Sequence, residues 1–310
     1  DPSELPSSLQ LWRSISQWVG GIGIAAVMLA ALNPAADAGR MLRTEVGTSF
    51  RGGPNAALRW IWASYAVGTA LAIGAFWSLG MPSWEALNHG LTAISTGGFT
   101  ITSDSMASYS AAIQVVATIL MLLGATSFAY FHRVATARKL HALRNPQLAL
   151  LLVGAVGATA LLVGLAKRDG ETEPLLSAWF QVVSAVCTGG FGSADLSAWS
   201  LPALTVLALC MFIGGESGST AGGLKLDRAL LIGRGILWRL KRGRTTAETE
   251  RVVVVQRERL REDQARLEVE SAATLTAVWI ATTGVASLAL WFLVPPSTGF
   301  EQVVFEVLSA

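Results

Sequence analysis

The stretch "QLALLLVGAVGATALLVGLA", residues 147–166, holds no charged side chain in twenty positions. About 20 such residues, coiled as a helix, cross the hydrocarbon core of a bilayer. In that solvent every backbone N–H and C=O must be paired within the protein, so only helices and closed barrels span it. Similar runs lie at residues 11–32, 57–79, 110–130, 200–213 and 271–294. Six membrane segments are therefore expected, the fifth ending early. Arg13, inside the first, is expected at an interface. Composition agrees: 14% of residues are charged and 52% hydrophobic, against about 25% charged in soluble domains.

Charge placement orients the segments. Arg40, Arg43, Arg51 and Arg59 lie between the first and second, and Arg133, Arg138, Lys139 and Arg144 between the third and fourth. Twelve more basic residues run from Lys225 to Arg266. The alternate connections carry Lys167 and Arg168 beside Asp104, Asp169, Glu171, Glu173 and Glu301. Cytoplasmic loops are enriched in Lys and Arg, so the three basic connections are expected inside. Trp77, Trp84, Trp199 and Trp291 then fall near outer boundaries, and Trp60, Trp62 and Trp238 near inner ones, as interfacial anchors would. Asp1-Pro2 lacks the basic and apolar start of a secretory signal. Cys187 and Cys210, in or beside membrane segments, suggest neither a disulfide framework nor a cysteine metal site.

Self-similarity is the next constraint. "TAISTGGFT" at 92–100 and "SAVCTGGFG" at 184–192 lie 92 positions apart. Each follows a short apolar run, too short to span, and precedes a new apolar helix. Ser83–Ile94 is the first of these runs, and its length suggests a re-entrant segment. Another glycine comes about 25 residues after each loop, at Gly124 and Gly215. Two incomplete copies flank these. "SELPSSLQLWRSISQWVGG" reads as the second half of a unit, ending at Gly20-Gly21, and "FEVLSA" at 305–310 repeats "FQVVSA" at 180–185. Loops of the same kind are thus expected beyond both ends. Thr298 and Glu301 form a Thr-x-x-Glu capping box before the last short helix.

The fold expected is an all-α membrane protein of repeated helix–pore loop–helix units, potassium-channel-like, with two nearly complete units and two partial ones. Residues 1–36 would hold the second helix of unit 1. Residues 57–145 would be unit 2, with its pore loop at 83–100. Residues 146–240 would be unit 3, with its pore loop at 174–192 and a broken second helix. A cytoplasmic charged segment would follow at 241–270, then the start of unit 4 at 271–310.

Non-helical backbone at membrane depth is tolerated only where protein buries it or water lines it. Rings of backbone carbonyls replace the hydration shell of a cation in filters built from four loops. Thr96, Gly97, Gly98 and Phe99, with Thr188, Gly189, Gly190 and Phe191, have the chemistry for this. Glycine permits the required backbone, threonine adds a hydroxyl at the inner end, and phenylalanine packs behind. The preceding helix turns its negative end to the ion. A single Thr-Gly-Gly-Phe is an ordinary turn; two in matching context are not.

On these residues, on "LWRSISQWVGGIGI" at 11–24 and on "GGESGSTAGGLK" at 214–225, the chain resembles the Trk/Ktr/HKT superfamily of potassium transport subunits, most closely its bacterial TrkH/TrkG branch. The resemblance implies four non-identical filters, of which the two loops here match the second and third. It implies potassium as substrate without covalent cofactor or catalysis, a multi-pass place in the bacterial inner membrane, a homodimer in lipid and a cytosolic nucleotide-binding regulatory subunit. No nucleic acid is implied. The resemblance also makes the glycine-rich stretch a gate, comprising Gly214, Gly215, Glu216, Ser217, Gly218, Ser219, Thr220, Gly222 and Gly223.

That stretch breaks a helix on its own terms, since each glycine costs up to about 1 kcal/mol relative to alanine in a helix. The helix is expected to resume near Leu224. A phosphate-binding loop fails because Leu224 separates Gly223 from Lys225. Ser217, Ser219 and Thr220 are suited to satisfy freed backbone groups. Glu216 at membrane depth reads equally as a structural, salt-bridged carboxylate or as an ion attractor. "NPA" at 33–35 reads as a helix stop. His89 reads as polar packing in a pore helix, and His132 and His141 as residues of a basic loop. Residues 252–270 read as a charged, partly helical segment, by default a solvated face and alternatively a partner surface. The rival function is an ion-coupled secondary transporter, which requires paired broken helices around one site. A purely structural scaffold would have no use for repeated glycine-rich loops.

Overall fold

The structure, a computed structural model, describes residues 1–30, 54–136, 144–169, 174–242, 253–255, 258–260, 262–295 and 298–309. Arg40, Arg43, Arg51, Arg138, Lys139, His141, Glu171, Glu173 and the "NPA" stretch lie outside the described residues. Two compact units divide the chain between Gly223 and Leu224. This boundary falls inside the third expected repeat rather than between repeats.

The first unit contains α1 (Ser7–Ala30), α2 (Pro54–Ser78), α3 (Ser83–Ile94), α4 (Ala111–Gly124), α5 (Phe128–Thr136), α6 (Pro146–Asp169), α7 (Pro174–Val186) and α8 (Leu201–Ile213). Helices α2 and α6 are long and apolar enough to cross a membrane. At 1.5 Å per residue, the 24 residues of α1 give about 36 Å. Helix α3 is short, as expected, and lies in the middle of the packing: α1, α2 and α4 all contact it. Helix α7 is held in the same way by α4, α6 and α8. Ala86, Ala93, Phe180 and Phe191 belong to one buried cluster around these two short helices. Outward-facing apolar side chains remain exposed on the long helices, among them Leu71, Val153 and Leu161. Lipid is the solvent that suits such a surface.

Polar contacts join α1 to its neighbours. Trp18 stacks on Tyr65 with centroids 5.2 Å apart. The Tyr65 hydroxyl donates to the Trp18 carbonyl at 2.9 Å, and Trp18 Nε1 donates to Thr69 Oγ1 at 2.9 Å. Ser14 Oγ donates to Asn88 Oδ1 at 2.7 Å. Side-chain hydrogen bonds of this kind are a principal glue between helices that water does not force together.

Residues 110–130, expected as one membrane segment, are two helices. Helices α4 and α5 meet at a break that bends the chain by 89°. The 14 residues of α4 reach only about 21 Å. The reason is tertiary. The Gly124 and Ala125 carbonyls accept from Thr220 N and Glu216 N, both at 3.1 Å, and the Gly218 carbonyl accepts from Phe128 N at 2.9 Å. Residues 216–220 thus supply the bonds that the missing helical turn would have made. His132 accordingly lies on α5, buried against Trp60, rather than in a loop.

Two further expectations are corrected. Trp84 turns inward and donates to Gln10 Oε1 at 3.0 Å, and Trp199 is buried, so neither is a lipid-facing anchor. Trp62 and Trp77 are exposed, as anchors should be.

The second unit holds α9 (Leu226–Arg242), a two-stranded antiparallel ribbon of β1 (Val253–Val255) and β2 (Glu258–Leu260), α10 (Glu262–Trp291) and α11 (Phe300–Ser309). Leu231 on α9 packs with Ala272 on α10, flanked by Ile232 and Val269. A Cβ at Gly235 would stand 2.7 Å from Val269 Cγ1, so glycine permits this approach. Helix α10 has the length and apolar character to cross a membrane. The capping arrangement before α11 is displaced by one residue. Gly299 N donates to Gln302 Oε1 at 3.2 Å, so Gln302 rather than Glu301 makes the backward bond of a capping box.

Candidate functional site

The two Thr-Gly-Gly-Phe loops begin where α3 and α7 end. Their backbones turn left-handed at equivalent positions. Thr96 and Thr188 have φ of 51° and 48°, and Gly98 and Gly190 have φ of 76° and 71°. A left-handed conformation is uncommon for a β-branched residue, and strain of this kind gathers at functional sites.

The bonds that hold the loops are repeated too. Gly97 N donates to the Thr92 carbonyl at 2.9 Å, and Gly189 N to the Ser184 carbonyl at 2.7 Å. Thr96 N and Thr188 N donate to Ala93 and Ala185 at 3.2 and 3.1 Å. From one turn back in the helix, Thr92 Oγ1 donates to the Phe99 carbonyl at 2.9 Å. Ser184 Oγ donates to the Phe191 carbonyl at 2.7 Å. A hydroxyl on the short helix therefore ties down the outer end of each loop.

The loops face each other. A Cβ at Gly98 would stand 2.5 Å from the Gly189 oxygen and 2.5 Å from Gly190 Cα, whereas one at Gly190 would stand 3.1 Å from Gly98 Cα. Glycine at these two positions is fixed both by conformation and by close approach. Outside the loops, Ser105 Oγ accepts from Gly192 N at 3.0 Å, and Met106 N donates to the Gly192 carbonyl at 2.8 Å. Phe191 is buried and Phe99 half exposed. The exposed residues Asp104 and Asp195 follow the two loops. The Ser197 N–H and hydroxyl hold the Asp195 carboxyl below the usual carboxylate range.

The glycine-rich stretch sits against the other end of both loops. Thr220 Oγ1 contacts Thr96 Oγ1 at 3.3 Å and lies within hydrogen-bond distance of the Gly124 and Ile94 carbonyls, at 2.8 and 3.0 Å. Gly222 N donates to Thr188 Oγ1 at 2.6 Å. Gly214, Gly218 and Gly223 all have positive φ, and a Cβ at Gly215 would meet Ala221 and Ala125. Ser219 Oγ donates to the Glu216 carbonyl at 2.6 Å. Ser217 is buried nearby. Ser219 and Thr220 thus take up freed backbone groups as expected. Glu216 is fully buried, its carboxylate accepting from Ser127 N at 3.0 Å and Asn145 Nδ2 at 2.8 Å. These donors favour the structural reading of Glu216.

His89 is packing, as expected. Its Nδ1 lies 2.9 Å from the Glu85 carbonyl and its ring meets Tyr109 edge-on. Two residues of α1 reach the loop at 96–99: Gln17, which sequence reading left aside, and Arg13, expected at an interface. Gln17 bonds both Gly97 and Phe99. The Arg13 guanidinium lies 4.5 Å from the Phe99 ring centroid, with Nη1 3.5 Å from the Thr100 carbonyl. Arg13 is therefore placed by the loop, not merely by an interface. A glutamine and an arginine inside an apolar run were the available signal.

Comparison with known proteins gives a consistent result. The family described as TrkH, cation transport protein, matches residues 1–166 and 171–310. The Trk system potassium uptake protein TrkI of Halomonas elongata is 34% identical over 237 residues, covering 73% of this chain and 47% of that protein. TrkH of the same organism is 32% identical over 240 residues, with coverage of 74% and 50%. The crystal structure of the potassium transporter TrkH from Vibrio parahaemolyticus superposes with a TM-score of 0.76 at 25% identity, covering 93% of this chain and 60% of that one. The chain spans about half the length of the curated relatives it matches. It is a multi-pass inner-membrane protein with the all-α TrkH fold, and it belongs to the TrkH cation transport family.

Proposed function

We propose that this chain forms the central part of a potassium-conducting pore. Residues 96–99 and 188–191 supply carbonyls, and their threonines hydroxyls, to a cation filter. Residues 214–223 form its gate. The observation that carries this reading is the duplicated loop: one backbone and one set of helix-end bonds, written twice and brought face to face. Positive φ recurs at the first and third positions of both loops, a pattern that a regular strand lacks. The negative ends of α3 and α7 point to the same inner end, which favours a cation. Relatives that are potassium uptake proteins support potassium as the ion.

Gating is supported by position. The glycine-rich stretch touches the inner threonine of both loops, so no ion leaves that end while the stretch stays in place. Its glycines give it several backbone states of similar energy. A second copy of the protein and a cytosolic nucleotide-binding subunit are the proposed partners, the latter acting from the basic inner segments.

The paired helix breaks that a secondary transporter requires are present at 124–128 and 213–226. They do not favour that rival, because the freed Gly124 and Ala125 carbonyls are taken by residues of the other break rather than left open to a substrate. The test is rubidium uptake into proteoliposomes by the full-length protein, with and without residues 217–222. The shortened protein should carry several-fold more flux with its ion preference kept. A folded, selective protein with unchanged flux would remove the gate assignment.

A further inference from the structure

Gln17 lies on α1, in the part of the chain that precedes the first complete loop. Its Nε2 donates to the Gly97 carbonyl at 2.6 Å, and its Oε1 accepts from Phe99 N at 3.0 Å. One partner is an acceptor and the other a donor, so the amide has a single satisfactory orientation. The side chain bridges the loop as a neighbouring strand would, across the residue Gly98 whose φ is 76°. A Cβ at Gly97 would collide with the Gln17 amide.

The other loop reveals what this bridge adds. A Cβ at Gly189 would collide with Met121 of α4. Gln17 stands three residues before Gly20, and Met121 three residues before Gly124, the glycines that align in the repeat. The same position of the preceding unit's helix therefore backs the second residue of each loop. It carries an amide behind Gly97 and a thioether behind Gly189. A thioether is at best a weak acceptor and donates nothing.

We infer that Gln17 is a specificity-determining positioning residue: it fixes the carbonyl of Gly97 and the spacing between Gly97 and Phe99, making this loop the stiffer and less ion-compliant member of the filter. The inference rests on the pore reading above. Arg13 adds to the same clamp from one turn earlier, over the Phe99 ring and beside the Thr100 carbonyl. A loop bonded at 97, 99 and 100 to α1 cannot relax around a smaller cation as freely as one backed by methionine.

The experiment measures reversal potentials in mixed potassium and sodium solutions, using the full-length protein in planar bilayers. Wild type is compared with Gln17→Met, which copies the other loop, and with Gln17→Glu, which keeps the acceptor for Phe99 N–H but loses the donor to Gly97. Both variants should lower the potassium-to-sodium permeability ratio by about fivefold, the factor carried by one hydrogen bond. A residue with a purely structural role would reduce the number of conducting molecules and leave the ratio alone. An unchanged ratio in both variants, at matched amounts of folded protein, overturns the inference. Should Gln17→Met fail to fold, Gln17→Glu decides it alone. Wild-type protein with no preference for potassium would instead overturn the pore reading, a separate result.

Discussion

The loop at 96–99 and the loop at 188–191 have the same backbone but different backing. The first is clamped by polar side chains of α1, through Gln17 and Arg13. The second is backed by Met121, with its Phe191 buried beside His89 at 6.1 Å between ring centroids. Its outer end is tied by Ser105 and Met106. Internal bonds to the short helix are common to both, and bonds to neighbouring units are not. A duplicated unit thus keeps the geometry its chemistry requires while its surroundings diverge. Two loops of one chain, unlike loops of identical subunits, can each be tuned separately.

The largest effect should separate the two glycines. Serine at either position must adopt a left-handed conformation, at about 1 kcal/mol or more. At Gly98 it also meets the backbone of the opposite loop at 2.5 Å, while at Gly190 the nearest atom lies at 3.1 Å. Gly98→Ser should therefore lower the potassium-to-sodium ratio more than tenfold, and Gly190→Ser by less, in reversal-potential measurements at matched expression. Equal losses would mean that the loops are more alike than their packing indicates.

The inner threonines come next. Thr188→Val leaves Gly222 N without its 2.6 Å acceptor, whereas Thr96→Val takes from the glycine-rich stretch a 3.3 Å contact between hydroxyls, besides a local 2.7 Å bond to the Ser95 carbonyl. The loss of one hydrogen bond costs about 0.5–1.5 kcal/mol. Thr188→Val should raise rubidium leak through the partner-free protein by about fivefold, and Thr96→Val by about twofold or less. The reverse order would detach the gate from the second of these loops.

Much of this comparison was legible in the sequence. The uncharged run at 147–166 is a membrane-length helix, and Ser83–Ile94 is the short helix its length announced. The repeated Thr-Gly-Gly-Phe located both loops, and the glycine density at 214–223 located the break. The bend after Gly124 was hidden because residues 110–130 carry no charge, and its cause lies about 90 positions away, in the N–H groups of Glu216 and Thr220. Only the alignment of Gly124 with Gly215 hinted at it. In the first unit the aligned pair Gly20-Gly21 breaks nothing: α1 runs on, and a Cβ at Gly21 would stand 2.9 Å from Ser95 Cβ and from the Tyr65 hydroxyl. A glycine pair signals close approach or a break, and only packing decides which. Gln17 was missed for the same reason, since an apolar run reveals its polar member but not the carbonyl that member meets.

Smaller effects test the shared features. Thr92→Val and Ser184→Ala each remove the hydroxyl that holds a phenylalanine carbonyl, at 2.9 and 2.7 Å. Each should destabilise the detergent-solubilised protein by about 1 kcal/mol, read from thermal unfolding, and by similar amounts if the two loops are built alike. The smallest effect belongs to the outer mouth. Asp195→Asn should reduce potassium conductance by less than about twofold at low ionic strength and by almost nothing in high salt. The Asp195 carboxyl sits below its usual range, so its charge survives external acidification through that range. Its contribution is therefore present above its lowered pKa and lost only below it. Loss of the effect at a higher pH would show that the Ser197 contact does not form.

The most direct measurement is anomalous diffraction from crystals of the full-length protein grown in rubidium or thallium. The account predicts ion density beside the two touching loops, within coordination distance of carbonyls from residues 96–98 and 188–190. Density absent from that position, in a crystal whose protein conducts the same ion, would contradict it.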